Sequence, residues 1–149
     1  MSYASKIFNK RGAGMDIKRD KYLADLINRM NNGMIKVVTG IRRCGKSYLI
    51  FTIFKNYLKE QGNDESHIVT IELDQRKDKK YRDPDAILEY IESRIIDDEK
   101  FYILLDEVQL LEDFEEVLNS LLHIKNLDIY VTGSNSKFLS KDVITEFRG

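Results

Sequence analysis

The chain has 149 residues, 42% hydrophobic and 33% charged, which suits one globular domain with a real core and excludes a disordered chain. No run approaches the roughly 18 apolar residues of a membrane-spanning helix, and one cysteine excludes an internal disulfide framework and points to a reducing, cytoplasmic setting. The net charge of -1 conceals an asymmetry: residues 1–50 carry 11 Lys/Arg against 3 Asp/Glu, and the rest carry 13 against 22. Such a segment is either a solvated face that is neutralised on folding or one that meets phosphates.

The first 17 residues are basic and lack an apolar stretch, so they read as an extension with no secretory signal. Residues 18–149 read as one domain. In "RDKYLADLINRM", Leu23, Leu26, Ile27 and Met30 share a helical stripe, with Asp20 as the expected N-cap. "MIKVVTG" is a short apolar run ending in glycine, the pattern of a buried strand. "KSYLIFTIFKNYLKEQG" is apolar on most faces and predicts a well-buried helix stopped by Gly62.

A second strand, "HIVTIELD", is followed by a charged surface loop, "QRKDKKYR". "DPDAILEYIESRII" predicts a helix with Asp83 as cap and Pro84 at its first position. "FYILLDE" is a third strand, apolar up to its acidic end, and "DFEEVLNSLLHIK" an amphipathic helix. "LDIYVTGS" is a fourth strand, and "KFLSKDVITEFRG" a short helix or loop. Strands and helices alternating in this way predict an α/β fold, a parallel sheet with helices on both faces.

The junction between the first strand and its helix carries the chemistry. Gly40-Ile41-Arg42-Arg43-Cys44-Gly45-Lys46-Ser47 satisfies G-x-x-x-x-G-K-[ST] in full. Glycines let a loop wrap a phosphate so closely that its backbone N–H groups point inward, and the following helix turns its positive end toward the anion. Lys46 then meets the β/γ-phosphates and the Ser47 hydroxyl ligates Mg²⁺. Tyr48, next along the helix, borders the same site, although its spacing with Tyr22, Phe51, Phe54 and Tyr57 fits a packed aromatic row. Arg42 and Arg43 face solvent, a partner or the phosphates. Cys44, inside the loop, is either an alkylation target that blocks nucleotide or an unreactive structural thiol.

The third strand ends in Asp106-Glu107. Unpaired buried charge is costly, so adjacent carboxylates at a buried strand end suggest that both are used. Asp106 fits as the group that holds Mg²⁺ opposite Ser47, and Glu107 as the base that polarises an attacking water. A kinase of small molecules often lacks the second carboxylate because its acceptor replaces water, so the pair favours hydrolysis. The fourth strand closes with the polar residues Thr132, Ser134 and Asn135; Ser134 and Asn135 are alternative candidates for a group that bonds the attacking water or senses the γ-phosphate, and the competing reading is a turn that bonds to itself. Glu72 and Asp74 end the second strand, where a polar partner could restrain Glu107, but capping or exposure is the favoured reading; His67 and His123 read as packing or surface histidines.

Together "GIRRCGKS", "YILLDEVQLL" and "VTGSNSKFL" resemble the prokaryotic AAA-type ATPases of the additional-strand class, in which an N-terminal ATPase core precedes a C-terminal domain with nuclease-like features. The resemblance runs from about Met15 to Gly149 and implies a three-layer P-loop sheet of order 5-1-4-3-2. It assigns Lys46 and Ser47 to Walker A, Asp106 and Glu107 to Walker B and Ser134 or Asn135 to the first sensor. The family chain continues past "EFRG" into an arginine and a fifth strand, so this chain is expected to be a core truncated at its C-terminal end. Its first strand would then be a bare sheet edge, with Arg148 the arginine nearest the γ-phosphate-sensing position.

The expected activity is Mg²⁺-dependent ATP binding and hydrolysis coupled to an effector. The alternatives are a nucleotide-dependent binding module or switch, acting for instance on DNA, and a small-molecule P-loop phosphotransferase. Expected partners are ATP, further copies of the chain, and a nucleic acid or protein reached through a missing C-terminal domain, with no membrane.

Overall fold

A computed structural model describes residues 15–39, 46–133 and 144–147. Helix α1 spans Met15–Asn28, strand β1 Ile35–Val38, and a continuous helix α2 is built from Lys46–Tyr48, a π-helical segment Leu49–Phe54 and an α-helical segment Lys55–Glu60. Strand β2 (Ile68–Glu72), helix α3 (Pro84–Arg94), β3 (Phe101–Asp106), helix α4 (Phe114–Leu122), β4 (Leu127–Thr132) and β5 (Ile144–Phe147) follow. The sheet order is β2-β3-β4-β1-β5, the expected 5-1-4-3-2 read from the opposite edge, with β1 to β4 all parallel.

The segment expected to be helix or loop supplies the fifth strand, which corrects both its assignment and the bare edge expected at β1. Ile144 to Phe147 pair antiparallel to β1, Ile144 opposite Val38 and Phe147 opposite Ile35. β-Branched and aromatic residues suit a pleated ribbon, and pairing satisfies N–H and C=O groups that would otherwise template aggregation.

Side chains alternate along the strands and build two cores. Phe101, Ile103 and Leu105 of β3 pack with Ile129 and Val131 of β4 against Ile87 and Ile91 of α3 and Val117, Leu118 and Leu121 of α4. Tyr102, Leu104 and Tyr130 point to the other face, against Leu23 and Leu26 of α1 and Leu49, Ile50, Phe54 and Leu58 of α2. Each such fully buried Leu or Ile contributes about 1.5–3 kcal/mol.

In α2 the pairs Leu49–Ile50, Ile53–Phe54 and Tyr57–Leu58 are all buried, a four-residue step wider than the α-helical repeat. The π turn takes up that excess and keeps the pairs on the sheet. The helix closes as expected at Gly62 (φ +95°), where Gly62 N–H donates to Lys59 O and Asn63 N–H to Leu58 O. Asp83 caps α3 by accepting from Ala86 N–H, with Pro84 at the first position.

Three other expectations change. Asp20 is no cap: α1 starts at Met15 and Asp20 lies inside it, buried, because it shares a face with Leu23 and Ile27. "QRKDKKYR" is an ordered 3₁₀ turn, Arg76–Arg82, anchored where Asp78 accepts the Glu72 N–H at 2.8 Å and Arg82 Nε donates to Leu73 O at 2.8 Å. Of the aromatic row, Tyr22, Phe54 and Tyr57 are buried but Tyr48 is 45% exposed, since the first turn of α2 lies beyond the sheet.

Candidate functional site

The alternation that builds the second core also decides which groups meet at the C-terminal ends of the strands. Tyr102, Leu104 and Asp106 form one row of β3, facing α2, and Tyr130 and Thr132 continue the same face on β4. Ser47 stands in the first turn of α2, above that face. Its hydroxyl lies 2.8 and 2.7 Å from the two Asp106 oxygens. Thr132 Oγ1 donates to Asp106 Oδ1 at 2.5 Å and accepts the Glu107 N–H at 2.8 Å. That acceptance leaves the Thr132 proton for Asp106, so the carboxylate is received as an acceptor.

Asp106 is 3% exposed. Burial pushes its carboxyl above the usual carboxylate range; the Thr132 and Ser47 hydrogen bonds oppose this, and the charges of Asp74 and Glu107 add to it. A buried carboxylate touching a hydroxyl is an all-oxygen donor pair, the chemistry of a hard cation such as Mg²⁺.

Glu107, the first residue after β3, adopts left-handed backbone angles (φ 55°, ψ 54°) and opens the 3₁₀ turn Val108–Leu110. For a non-glycine residue this conformation costs about 1–3 kcal/mol. Its Oε1 lies 3.6 Å from Lys46 Nζ, and its Oε2 accepts Gln109 Nε2–H at 2.5 Å. Lys46, Ser47, Asp106 and Glu107 are thus brought into one cluster. Gly40, Ile41, Arg42, Arg43, Cys44, Gly45, Ser134, Asn135 and Arg148 lie outside the described residues.

Two organising residues escaped the sequence reading of the site. Thr132, noted there only as a polar strand end, bridges Asp106 and Glu107; its parity with Tyr130 would have placed it there. Gln109, two residues after the carboxylate pair, lies inside the stretch "YILLDEVQLL" but was given no role there. Glu72 pairs instead with Lys77 at 3.1 Å and Asp74 is exposed. His67 precedes β2, at the other end of the sheet, where it packs on Phe101 and faces Asp97 and Glu99 at 2.8 and 3.5 Å. His123 is exposed.

A family profile described as an AAA domain matches residues 32–149, which contain this cluster. The chain belongs to that family of AAA-type P-loop ATPase domains. Among curated proteins, an uncharacterized protein of Haemophilus influenzae is 33% identical over 134 residues, covering 89% of this chain and 33% of the relative. An uncharacterized protein of Methanocaldococcus jannaschii is 27% identical over 119 residues, covering 77% of this chain and 24% of the relative. The chain therefore spans about a third and about a quarter of the lengths of these two relatives. No solved structure matches. Among the described residues no helix is long and apolar enough to cross a membrane.

Proposed function

We propose that this AAA domain binds ATP with Mg²⁺ and hydrolyses it, using Glu107 to activate water. The observation that carries the reading is the convergence of Ser47 on Asp106 at 2.7–2.8 Å with Lys46 and Glu107 alongside. Ser47 and Asp106 would hold Mg²⁺, which when bound neutralises charge on the β/γ-phosphates. Lys46 binds those phosphates. A phosphate presents more negative charge than one carboxylate, so its arrival draws Lys46 from Glu107 and frees Oε1 as a proton acceptor. Glu107 then takes the proton of the attacking water as its oxygen bonds to the γ-phosphorus and ADP leaves.

Placement of β4 between β1 and β3 supports assignment to the additional-strand class. The loop Gly40–Gly45 serves as the phosphate cradle and Ser134 or Asn135 as the sensor. The effector, assembly contacts and any nuclease-like domain we assign to the rest of a longer protein. Residues 18–149 act as its ATPase core, with residues 1–17 as a basic extension, working in the cytoplasm.

The test is ATP binding and phosphate release with and without Mg²⁺, for wild type and Lys46→Ala. Binding and Mg²⁺-dependent release, both lost in Lys46→Ala, support the reading. Binding without release, both here and in a longer chain, would leave a nucleotide-controlled binding module; phosphate passed only to an added acceptor would leave a phosphotransferase.

A further inference from the structure

The geometry points to Gln109 as the residue that positions Glu107, an inference that rests on the hydrolytic reading above. Among the described residues three contacts on Glu107 stand out. Its backbone N–H is fixed by Thr132, its Oε1 faces Lys46, and its Oε2 takes the Gln109 amide at 2.5 Å. The first hold orients the backbone only. The second is the one that phosphate removes, because Lys46 is drawn to the nucleotide. The Gln109 amide makes no claim on phosphate, so its contact keeps the carboxylate aimed once Lys46 has turned away.

Local structure fits that role. Gln109 sits in the middle of the 3₁₀ turn Val108–Leu110, closed by Leu110 N–H to Glu107 O and Leu111 N–H to Val108 O, both 3.0 Å. Val108 and Leu111 are buried in the core under α3 and α4 and pin the turn on both sides of Gln109. The left-handed angles of Glu107 turn its side chain back over this loop, so strain and turn together bring amide and carboxylate into contact. A neutral amide also suits a base better than a second cation: it fixes orientation by a charge-assisted hydrogen bond without adding a positive charge that weakens proton acceptance.

The first measurement needs no turnover. In ¹H–¹⁵N spectra of the intact chain the Gln109 side-chain amide is expected to have one proton well downfield of ordinary glutamine amides. Glu107→Ala should return it to the ordinary position, while Lys46→Ala and added Mg²⁺·ATP should leave it downfield. An amide indifferent to Glu107→Ala overturns the assignment, and one released by Mg²⁺·ATP overturns the retained hold.

The second measurement is kinetic. Gln109→Met keeps side-chain bulk but removes the donor, and should lower kcat about 10–100-fold, the worth of a hydrogen bond to a charged group. Its KM and ATP affinity should stay within about twofold, a split that general loss of structure does not produce. In a Glu107→Gln background the same change should have no further effect. An unchanged kcat, or an equal loss in both backgrounds, overturns the proposal. If wild type binds ATP without turnover, the hydrolytic reading fails by itself and the amide spectrum still decides whether Gln109 holds Glu107.

Discussion

Two polar clusters occupy the two ends of one side-chain row on β4, with Tyr130 between them, and they are built on opposite principles. At the N-terminal end Lys36, fully buried in β1, lies 2.6 Å from Asp128. Its ammonium also donates to Met34 O at 2.7 Å and Asn32 Oδ1 at 3.1 Å. Asp128 Oδ2 accepts the Asn31 N–H at 3.0 Å and the Tyr130 hydroxyl. Burial, together with the charge of Asp128, pushes the Tyr130 hydroxyl far above its usual range, so it stays a donor. At the C-terminal end the corresponding ion pair, Lys46–Glu107, is stretched to 3.6 Å and its side chains are 12% and 21% exposed, with Glu107 on a strained backbone. A closed, short-range network fixes strand register. An open, strained one holds its charges less tightly.

The closed end should show the largest effect. Removing one partner of a buried ion pair typically costs about 3–5 kcal/mol, whereas replacing both with apolar groups is often neutral. Lys36→Met should therefore lose about 3–5 kcal/mol in denaturant unfolding, and Lys36→Met/Asp128→Leu should recover most of it. A single variant as stable as wild type would deny this network its structural role.

Thr132 sharpens the contrast because it belongs to the open end yet is completely buried. Thr132→Val should cost about 1–3 kcal/mol, the penalty for leaving buried polar groups without a partner, and lower ATP turnover as well. A loss confined to stability would move Thr132 into the structural class.

The smallest effect has the opposite sign. Glycine accepts left-handed angles without a Cβ penalty, so Glu107→Gly should be about 1 kcal/mol more stable in denaturant unfolding while losing turnover. A destabilised Glu107→Gly would show that its side-chain contacts outweigh the strain.

Much of the open end is legible in the sequence. The glycine spacing around Lys46 and Ser47, and the two carboxylates ending an apolar strand, already singled these residues out. The alternation Tyr102, Leu104, Asp106 already places Asp106 on the side facing α2. Local rules also found the Asp83–Pro84 start of α3 and the Gly62 stop of α2, because those signals lie within a few residues of each other. The closed end was missed for the converse reason: Lys36 and Asp128 are 92 residues apart, and only strand pairing joins them. A lysine inside "MIKVVTG" and an aspartate inside "LDIYVTGS" were nevertheless clues, since a charge within a buried strand demands a partner. Strand β5 was missed because short β-branched segments take their conformation from the edge they meet.

Glu107 is the group proposed to convert a bound nucleotide into a hydrolysed one. The most direct measurement is ATP affinity and single-turnover phosphate release for Glu107→Gln beside wild type. Loss of the charge that pairs with Lys46 should leave ATP binding at least as tight, while loss of the base slows release about 10²–10⁴-fold. Release at the wild-type rate from Glu107→Gln would contradict the account.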